Sequence, residues 1–340
     1  MRLLTSLRDV SRPEHRRDLD GAAVGVTIGN FDGMHRGHQA LFAELREETA
    51  AEAEALGKPS RTMLFTFAPH PRQVLGRIAR RTDAGASVPE EKRRQITPPR
   101  HKLLLARQYG FDYVFLKRFT PSFAACTPHE FVDRYLIQAL GVCVVVVGYD
   151  WSFGQGRAGS SDTLAREGAA RGFKVLVVPP VSLQGDRVSS SLVREAISAG
   201  ALSRLSELLG RRFSIIGKVI QGDERGRTLG FPTANIACGE MLLPPNGVYA
   251  VTARIDGKAH PAVCNIGVRP TFDGSKRLLE VHVLDASDLQ LYGKWLEVEF
   301  ISLIREERRF PGPEQLQAQI AADIAVARKH LGSDGVRETL

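Results

Sequence analysis

Cysteine is scarce in this sequence, and the few cysteines present do not form a metal-binding pattern. The chain of 340 residues contains four of them. They stand at positions 126, 143, 238 and 264, without the close spacing that zinc sites use. This scarcity argues against a disulfide scaffold and predicts a protein of the reducing cytoplasm.

Long apolar runs are also missing. The longest, Leu140 to Val147, is far shorter than the roughly 20 residues that a membrane-spanning helix needs. Residues 1–10 lack the apolar core of a signal peptide. We therefore expect a cytoplasmic protein with no membrane partner. A hydrophobic content of 43% and a charged content of 25% are typical of globular proteins, and the length suffices for two domains.

Acidic residues are outnumbered by basic ones, and the net charge is +8. Half of this excess lies in residues 76–100, which contain seven lysines and arginines against three acidic residues, a local excess of four. RNA-binding patches intersperse aromatic side chains among basic ones, and this stretch has no aromatic residue. We interpret it as a solvated surface loop and expect no nucleic-acid partner.

The first 200 residues alternate between strand-like and helix-like patterns. The strand-like runs, rich in β-branched and aromatic residues, are 24–28, 62–67, 113–116, 142–148 and 174–178. The helical patterns are 36–56, 100–109, 128–140, 161–171 and 190–199. This alternation predicts a doubly wound, parallel sheet with helices on both faces. Ligands of such sheets bind beyond the carboxyl ends of the strands.

The pattern changes near residue 200, which predicts one domain over 1–200 and a second over 201–340. Residues 201–209 are typical of a short linking helix. The strand-like runs that follow are 213–219, 248–255, 262–266, 278–284 and 296–301. Many short strands predict a small closed β-barrel. An amphipathic helical pattern over 313–331 follows the barrel.

A histidine pair at the start of the first long helix is the most informative motif. It lies in Phe31-Asp32-Gly33-Met34-His35-Arg36-Gly37-His38. A helix N-terminus offers free N–H groups and a positive dipole end to an anion, and residues three apart share one helical face. Imidazole and amide donors together suit the α-phosphate of a nucleoside triphosphate. The alternatives are ordinary helix-cap histidines or a zinc-ligand pair, although no third ligand stands at a suitable spacing.

Further segments fall at the same predicted edge of the sheet. His70 lies between two prolines that restrict its backbone, which is equally typical of a turn. The glycine loop 148–159 contains a G-x-G-x-x-G sequence, but too late after its strand for a dinucleotide fingerprint. Its aromatic residues and Arg157 suit a flavin or an adenine. Ser189, Ser190 and Arg194 open the helix 190–199 and could bind an anion, or simply cap the helix.

A glycine-rich run over 217–230 leads into Phe231-Pro232-Thr233-Ala234-Asn235 in the C-terminal half. The chain contains no G-x-x-x-x-G-K-[ST] sequence, which excludes a P-loop of that type. A glycine-rich loop can still place amides around phosphates. The oxygens of Thr233 and Asn235 suit Mg²⁺, although proline and asparagine also form simple turns.

Taken together and in this order, the motifs resemble those of prokaryotic bifunctional riboflavin kinase/FAD synthetases. The N-terminal half resembles the FMN adenylyltransferase module, which implies a Rossmann-like nucleotidylyltransferase α/β domain. The resemblance implies that His35, His38 and Arg194 are catalytic and stabilise the transfer of AMP from ATP to FMN. It also implies nucleotide or flavin binding at Asn30, Phe31, Gly33, Asp150, Arg157, Ser189 and Ser190. The sequence departs from the usual pattern at Ala68, Ser160 and Ser191, none of which is an expected catalytic group.

The C-terminal half resembles the riboflavin kinase module over about residues 210–332, in the G-R-x-L-G-F-P-T-A-N run and in Leu279-Glu280-Val281-His282. The resemblance implies that Thr233 and Asn235 bind Mg²⁺ and ATP. It implies that Glu280 is the general base for the 5′-hydroxyl of riboflavin. The glycine-loop residues implied to bind the nucleotide are Gly222, Gly226, Arg227 and Gly230.

Two other functions would account for parts of the sequence. The histidine pair would serve equally in transfer to pantetheine phosphate or a nicotinamide mononucleotide, but such enzymes need no partner domain with the Thr233, Asn235 and Glu280 series. A basic RNA-binding protein is the second alternative, and the 76–100 stretch without aromatic residues speaks against it. The sequence does not indicate the oligomeric state.

Overall fold

The computed structural model of the chain describes residues 1–81, 94–221, 231–271, 274–285 and 290–333. These residues divide between two compact units, Met1–Ser190 and Ser191–Leu340. None of the helices in the described ranges combines the length and apolar character that crossing a bilayer requires.

The N-terminal unit alternates strands and helices, as the sequence predicts. The strands of its main sheet are β1 (Arg2–Leu4), β2 (Ala23–Ile28), β3 (Ser60–Ala68), β4 (Tyr113–Arg118), β5 (Val142–Gly148) and β8 (Lys174–Val178). Two hairpins pair β6 (Ser152–Phe153) with β7 (Gly159–Ser160), and β9 (Ser182–Leu183) with β10 (Asp186–Arg187).

The helices of this part of the chain are α1 (Leu7–Val10), α2 (Pro13–Asp20), α3 (Arg36–Leu56), α4 (Pro71–Arg81), α5 (Pro99–Gln108), α6 (Pro121–Ala124), α7 (Pro128–Phe131), α8 (Ser161–Arg171) and α9 (Ser190–Ser198). A π-helical segment, Val132–Ala139, continues α7, and a 3₁₀ turn spans Gln155–Arg157. The strands and helices expected from the sequence are confirmed to within a few residues at their ends.

The main sheet is parallel, with the strand order β1-β4-β3-β2-β5-β8. From β2 the chain extends first to one side, through β3 and β4, and later to the other, through β5 and β8. The topological switch point therefore lies between β2 and β5, and a ligand crevice is expected at their carboxyl ends. The predicted doubly wound fold is confirmed.

Two apolar clusters bury the sheet on both faces. Along β5, Val144 and Val146 belong to one cluster, whereas Val145 and Val147 belong to the other. Helices α3 and α5 cover the first face, and α1, α2 and the helical residues 131–136 cover the second. Because both faces are buried, the strands are continuous apolar runs, which is why they are visible in the sequence.

Gly25 lets α3 lie close against β2. A Cβ atom at this position would stand 1.8 Å from Oγ1 of Thr49, which α3 contributes and which is fully buried. The absent side chain thus sets the distance between the central strand and the helix that begins at the histidine pair.

The C-terminal unit is a closed antiparallel barrel, as predicted, with a helix on each side of it in the chain. Its strands are β11 (Ser214–Ile220), β12 (Ala234–Ala237), β13 (Gly247–Ile255), β14 (Lys258–Thr271), β15 (Gly274–Val283) and β16 (Trp295–Glu306). They close in the order β11-β12-β15-β14-β13-β16. The flanking helices are α10 (Leu202–Leu209) and α11 (Pro313–Ser333), and α11 packs its Ile324, Ala327 and Leu331 on Val248 and Ala250.

Several segments differ from the sequence-based expectation, among them β14 and β16, which extend four to five residues beyond the expected runs 262–266 and 296–301. Residues 234–237 form β12 rather than a simple turn, because pairing with β11 and β15 holds this short segment extended. Residues 76–81, expected in a surface loop, complete the helix α4. Residues 82–93 of that expected loop lie outside the described residues.

A charged cluster lies at the amino ends of β1, β3 and β4, opposite the expected ligand edge. Asp18 accepts hydrogen bonds from Arg61 Nη2 at 2.8 Å, Arg2 Nη1 at 3.2 Å and Tyr113 Oη at 2.5 Å. The hydrogen bond from Arg61 is the main reason that the pKa of Asp18 is lowered to about 2. Burial, reinforced by the hydrogen bond to Asp18, raises the pKa of Tyr113 to about 12.

Replacement of Asp18 by Asn should destabilise the N-terminal unit in a pH-dependent way. A carboxyl with a lowered pKa stabilises the fold above its unfolded pKa, and that stability is lost as the pH falls through the folded value. At pH 7, D18N should lower the free energy of unfolding by about 1 to 2 kcal/mol, since solvent screens part of the interaction. The difference from wild type should shrink between about pH 4 and about pH 2.

Urea denaturation in a Trp295→Phe background, with Trp151 as the remaining fluorophore of the two tryptophans, measures this effect. The matched control is D20N, which removes an exposed carboxylate of the same helix and should change stability by less than about 0.5 kcal/mol. An Asp18 variant with the wild-type pH dependence would contradict the assignment.

Candidate active site

The loop between β2 and α3 has an unusual backbone. Phe31 and Met34 adopt left-handed conformations, with φ of 46° and 43°, and Gly33 has φ of 93°. Such angles are unfavourable for residues with a side chain, and they persist only where the surroundings hold them. The side chains of Phe31 and Met34 are almost fully buried, so packing supplies part of that support.

Side-chain donors hold the carbonyl oxygens of this loop. The hydrogen bonds run from Lys102 Nζ to Asn30 O at 2.6 Å, Thr97 Oγ1 to Phe31 O at 3.3 Å, Ser190 Oγ to Asp32 O at 2.9 Å and Gln39 Nε2 to Met34 O at 2.9 Å. Most of these donors are distant in sequence, so the loop conformation depends on tertiary structure. Hydrogen bonds to an irregular backbone of this kind offset its strain.

The side chain of Asp32 also holds the loop, but as a hydrogen-bond acceptor. Its buried carboxylate accepts the N–H groups of Ile96 at 3.0 Å and Thr97 at 2.9 Å. The N–H of Gly33 donates to Thr97 Oγ1 at 2.8 Å. The Gly33 amide is therefore engaged within the fold, and its left-handed backbone makes the turn possible.

His35 and His38 meet at the start of α3, as their spacing predicts. Their rings stack with centroids 3.7 Å apart and an angle of 18° between planes. His35 is the N-cap residue and its side chain makes no capping hydrogen bond, which disfavours the reading as a simple helix cap. The ring of Phe31 contacts His38 edge-on at 5.2 Å. The imidazoles thus lie beside a helix N-terminus at the carboxyl end of the central strand.

Gly37 leaves little room for a side chain beside this pair. A Cβ at position 37 would lie 3.1 Å from Nδ1 of His35 and 3.5 Å from the carbonyl oxygen of Val188. Within the described ranges, no group of three or more histidine, cysteine, aspartate or glutamate residues could hold a metal ion. The zinc alternative therefore finds no third ligand there.

His70 follows β3, the neighbour of β2 in the sheet. Its side chain is 9% exposed, and Nδ1 accepts the N–H of Arg72 at 3.2 Å, at the start of α4. An Nδ1 that accepts leaves the proton of the neutral ring on Nε2. His70 is therefore tied to a helix start, and the turn interpretation of this histidine has a structural basis.

Two of the three aromatic residues of the glycine loop 148–159, Trp151 and Phe153, pack in or against the core, whereas Tyr149 is exposed. Phe153 is 9% exposed and packs edge-on against Phe131, and Trp151 stacks on it with centroids 4.5 Å apart. A Cβ at Gly159 would stand 2.5 Å from the Phe153 ring, which explains the glycine there. The aromatic rings of this loop were expected to face a flavin or an adenine. Phe153 does not do so, because its ring is buried in the core.

The polar residues of the same loop lie at the surface beside the carboxyl end of β5. Asp150 forms an ion pair with Arg187 at 2.5 Å. The guanidinium of Arg187 also lies over the Tyr149 ring, 4.7 Å from its centroid. Arg157, with a left-handed φ of 62°, donates from Nε to Ser152 Oγ at 2.6 Å.

The start of α9 contributes directly to the histidine loop. Ser190 is its first residue, and its hydroxyl donates to the Asp32 carbonyl. Ser189 precedes the helix and is half-buried, and Arg194 lies one turn further along α9 and is also half-buried. Of the three residues expected there, the structure ties Ser190 to the loop.

In the barrel, strand register aligns three polar residues in one row. Asn235 on β12 is the direct partner of Glu280 on β15, and Glu280 is the direct partner of Asn265 on β14. Direct partners point to the same face of a sheet. The alternate residues Ile236, Val281 and Cys264 are buried, so the polar row lies on the outer face.

Asn265 was missing from the residues expected at this site. It stands in a short run, Asn265-Ile266-Gly267, with no chemical feature that separates it from other asparagines. The register between β14 and β15 is the signal that identifies it, and only the paired strands provide it.

The segment before β12 is held by His282. Nδ1 of His282 donates to the Pro232 carbonyl at 2.8 Å, and the ring meets Phe231 edge-on at 5.6 Å. Thr233, half-buried, lies between this anchor and Asn235. The expected nucleotide-binding residues Gly222, Gly226, Arg227 and Gly230 lie outside the described residues.

Comparison with known proteins finds matches to both halves of the chain. A family model described as FAD synthetase matches residues 18–192, and one described as riboflavin kinase matches residues 209–331.

Relatives match nearly the whole chain. A bifunctional riboflavin kinase/FMN adenylyltransferase of Pseudomonas fluorescens is 42% identical over 96% of this chain and 97% of its own length. The protein of that name from Escherichia coli strain K12 is 39% identical over 90% of this chain and 92% of its own. A crystal structure titled macrolide-efflux protein from Streptococcus pneumoniae superimposes with a TM-score of 0.76 and 27% identity, covering 96% of this chain and 98% of that one.

A methyl group at Gly37 tests the packing of the histidine pair without reference to activity. In G37A the added Cβ would stand 3.1 Å from Nδ1 of His35, so the His35 ring should shift by a few tenths of an ångström against the ring of His38. We expect the imidazole signals of His35 and His38 to shift in the NMR spectrum, because ring currents depend steeply on stacking geometry, while those of the exposed His129 stay in place. G76A is the matched control, since a Cβ at position 76 in α4 meets no atom within 4 Å. Unchanged His35 and His38 signals in G37A would contradict the observed packing.

Proposed function

The chain belongs to the family of bifunctional riboflavin kinase/FMN adenylyltransferases, and on this premise we propose how its residues divide the two reactions. The enzyme phosphorylates riboflavin to FMN with ATP, and then transfers AMP from ATP to FMN, which yields FAD and pyrophosphate. We assign the second reaction to residues 1–200 and the first to residues 201–340. The matches of the FAD synthetase model to 18–192 and of the riboflavin kinase model to 209–331 support this division.

The stacked histidine pair carries the proposal for adenylyl transfer. A phosphate oxygen of FMN attacks the α-phosphorus of ATP in line, the bond from that phosphorus to the bridging oxygen breaks, and pyrophosphate leaves. Negative charge grows on the oxygens around the α-phosphorus during this step. The imidazole N–H groups of His35 and His38, stacked at the start of α3, are proposed to stabilise that charge together with the positive end of the helix dipole.

The other residues expected at the adenylyl-transfer site lie in the loop between β2 and α3, in the loop after β5, or at the start of α9. Asn30, Phe31 and Gly33 are proposed to shape the nucleotide site, the first through its exposed side chain and the others through the loop backbone. Asp150 and Arg157 are surface groups after β5, next to the switch point. Ser189, Ser190 and Arg194 at the start of α9 are proposed to bind phosphates.

The row of Asn235 and Glu280 supports the kinase site. Glu280 accepts the proton of the 5′-hydroxyl of riboflavin as that oxygen attacks the γ-phosphorus of ATP, and ADP leaves. The oxygens of Thr233 and Asn235 are donors of the kind that Mg²⁺ binds. Bound Mg²⁺ would neutralise phosphate charge, while Gly222, Gly226, Arg227 and Gly230 are proposed to contact the nucleotide.

We place both reactions in the cytoplasm, with riboflavin, FMN and ATP as the small molecules bound. The cysteines at 126, 143, 238 and 264, all within the described ranges, form no disulfide, which supports a reducing compartment.

Variants of one residue in each unit should separate the two reactions. H38A should reduce FAD formation from FMN and ATP by about 100-fold or more, since a donor to the transition state is lost, and leave FMN formation intact. E280A should do the reverse. Chromatographic separation of the flavins formed from riboflavin, and then from FMN, measures both reactions. H129A, at an exposed position, should behave as wild type. Equal loss of both activities in either variant would contradict the division.

Removal of the proposed metal-binding amide should affect one reaction only. N235A should raise the Mg²⁺ concentration needed for half-maximal kinase rate about tenfold, because one oxygen donor to the cation is lost. The adenylyl-transfer reaction of the same preparation, titrated in parallel, is the internal control and should be unchanged. A Mg²⁺ titration of the kinase step equal to that of wild type would argue against the metal contact.

A further inference from the structure

We propose that Lys102 is a positioning residue for adenylyl transfer, a buried cation that holds the loop leading to the histidine pair. The inference rests on the proposed function, because it assigns Lys102 to the adenylyl-transfer reaction of the N-terminal unit. In the sequence, nothing distinguishes Lys102 from the basic residues near it, such as Arg100 and Arg107. Its distinction comes from burial and contacts.

Lys102 lies in the first turn of α5 and is 4% exposed. Its Nζ donates to the Asn30 carbonyl at 2.6 Å and to Thr66 Oγ1 at 3.2 Å. The Thr66 hydroxyl donates in turn to the same Asn30 carbonyl at 3.3 Å. Thr66 is fully buried near the end of β3, so the ammonium group sits between the carboxyl ends of β2 and β3.

Burial of this charge is unfavourable, which argues for a role beyond packing. Burial lowers the pKa of Lys102 to about 8, and the Asp32 carboxylate acts in the opposite direction. The hydrogen-bond partners of its ammonium group, Asn30 O and Thr66 Oγ1, are neutral oxygens. An apolar side chain of similar length at position 102 would avoid the free-energy cost of desolvating the ammonium group, as replacements of buried ions by apolar residues often do. A buried ionisable group with a shifted pKa beside a ligand edge is typical of a functional site.

The contact with Asn30 acts on the strained part of the loop. The carbonyl held by Lys102 belongs to the peptide that enters Phe31, the first residue with a left-handed φ. The Phe31 ring packs against His38, which stacks on His35. By holding the Asn30 carbonyl, Lys102 therefore fixes the start of the loop that ends at the two imidazoles. A fixed positive charge beneath it also favours polyphosphate binding, because the surroundings have a low dielectric constant.

The charge of Lys102 should matter to the reaction, and the pH dependence should show it. The ionisable groups of the segments around it are Asp32 and His35 on the loop and His101 beside it on α5, while Thr66 brings no charge from β3. Since the lowered pKa is about 8, a rise in pH through that value removes the ammonium form. The adenylyl-transfer rate should then fall with the loss of one proton.

Two substitutions separate charge from packing. K102M keeps the length of the side chain without its charge, and its kcat for FAD formation should fall about 100-fold, the scale of an approximately 1 Å misplacement of catalytic groups. Its KM for FMN should change less than about threefold, because the substrate contacts remain. K102R keeps a cation and should recover part of kcat. K58M makes the same change at an exposed position after α3 and should match wild type.

The riboflavin kinase rate of each preparation serves as the control for protein concentration. Wild-type kcat for adenylyl transfer should decline above about pH 8, and K102R should extend activity to higher pH because guanidinium stays protonated. A K102M variant with wild-type kcat and pH profile overturns the proposal. If K102M does not fold, a wild-type kcat that is flat from about pH 7 to about pH 9.5 overturns it instead. Absence of FAD formation by the wild-type enzyme would refute the proposed function itself, which is a separate result.

Discussion

The anchored loop between β2 and α3 is the constraint on which the N-terminal site depends. Phe31 and Met34 hold backbone conformations that an isolated chain would leave, and the side chains of Lys102, Thr97 and Ser190 occupy carbonyl oxygens of the loop. These donors come from segments far along the chain. The histidine pair can therefore take up its stacked geometry only after the sheet, α5 and the start of α9 have come together. Tertiary hydrogen bonds thus offset local strain in the loop before the histidine pair, which is the proposed site of adenylyl transfer.

The C-terminal site collects its polar groups by a different physical means, the register of paired strands. Asn235, Glu280 and Asn265 align because β12, β15 and β14 are neighbours in which these residues are direct partners. A slip of one residue would turn Asn235 into the apolar interior and bring Ile236 to the outer face. The buried residues of the barrel thus specify the register, and the register places the carboxylate beside the amides. Apolar packing on the inner face therefore decides which polar groups meet on the outer face.

Local patterns predicted the elements that are long or buried on both faces. The apolar run of β5 was predicted with its observed ends, Val142 and Gly148, because a strand covered on both sides must be apolar throughout. The strand β1 has three residues, too few to show a period, and it exists through its pairing with β4. The strand β12 carries turn-forming residues, and its extended form follows from pairing on both sides. The aromatic residues of the glycine loop 148–159 were expected as a group to suit a flavin or an adenine, and Phe153 among them is buried, since a glycine-rich loop does not indicate which way its rings point.

The sequence by itself determined that His35 and His38 share one turn at the head of a helix, since positions three apart lie on one helical face, and its ordered motifs identified the family. Tertiary structure alone decided which residues stand behind them. Lys102 and Thr97 lie beneath the loop because α5 follows β3 onto the same face of the sheet, and Asn265 joins Glu280 because β14 pairs with β15. Contacts of this kind depend on strand order and register, which arise from packing of the whole chain and are not contained in any local pattern.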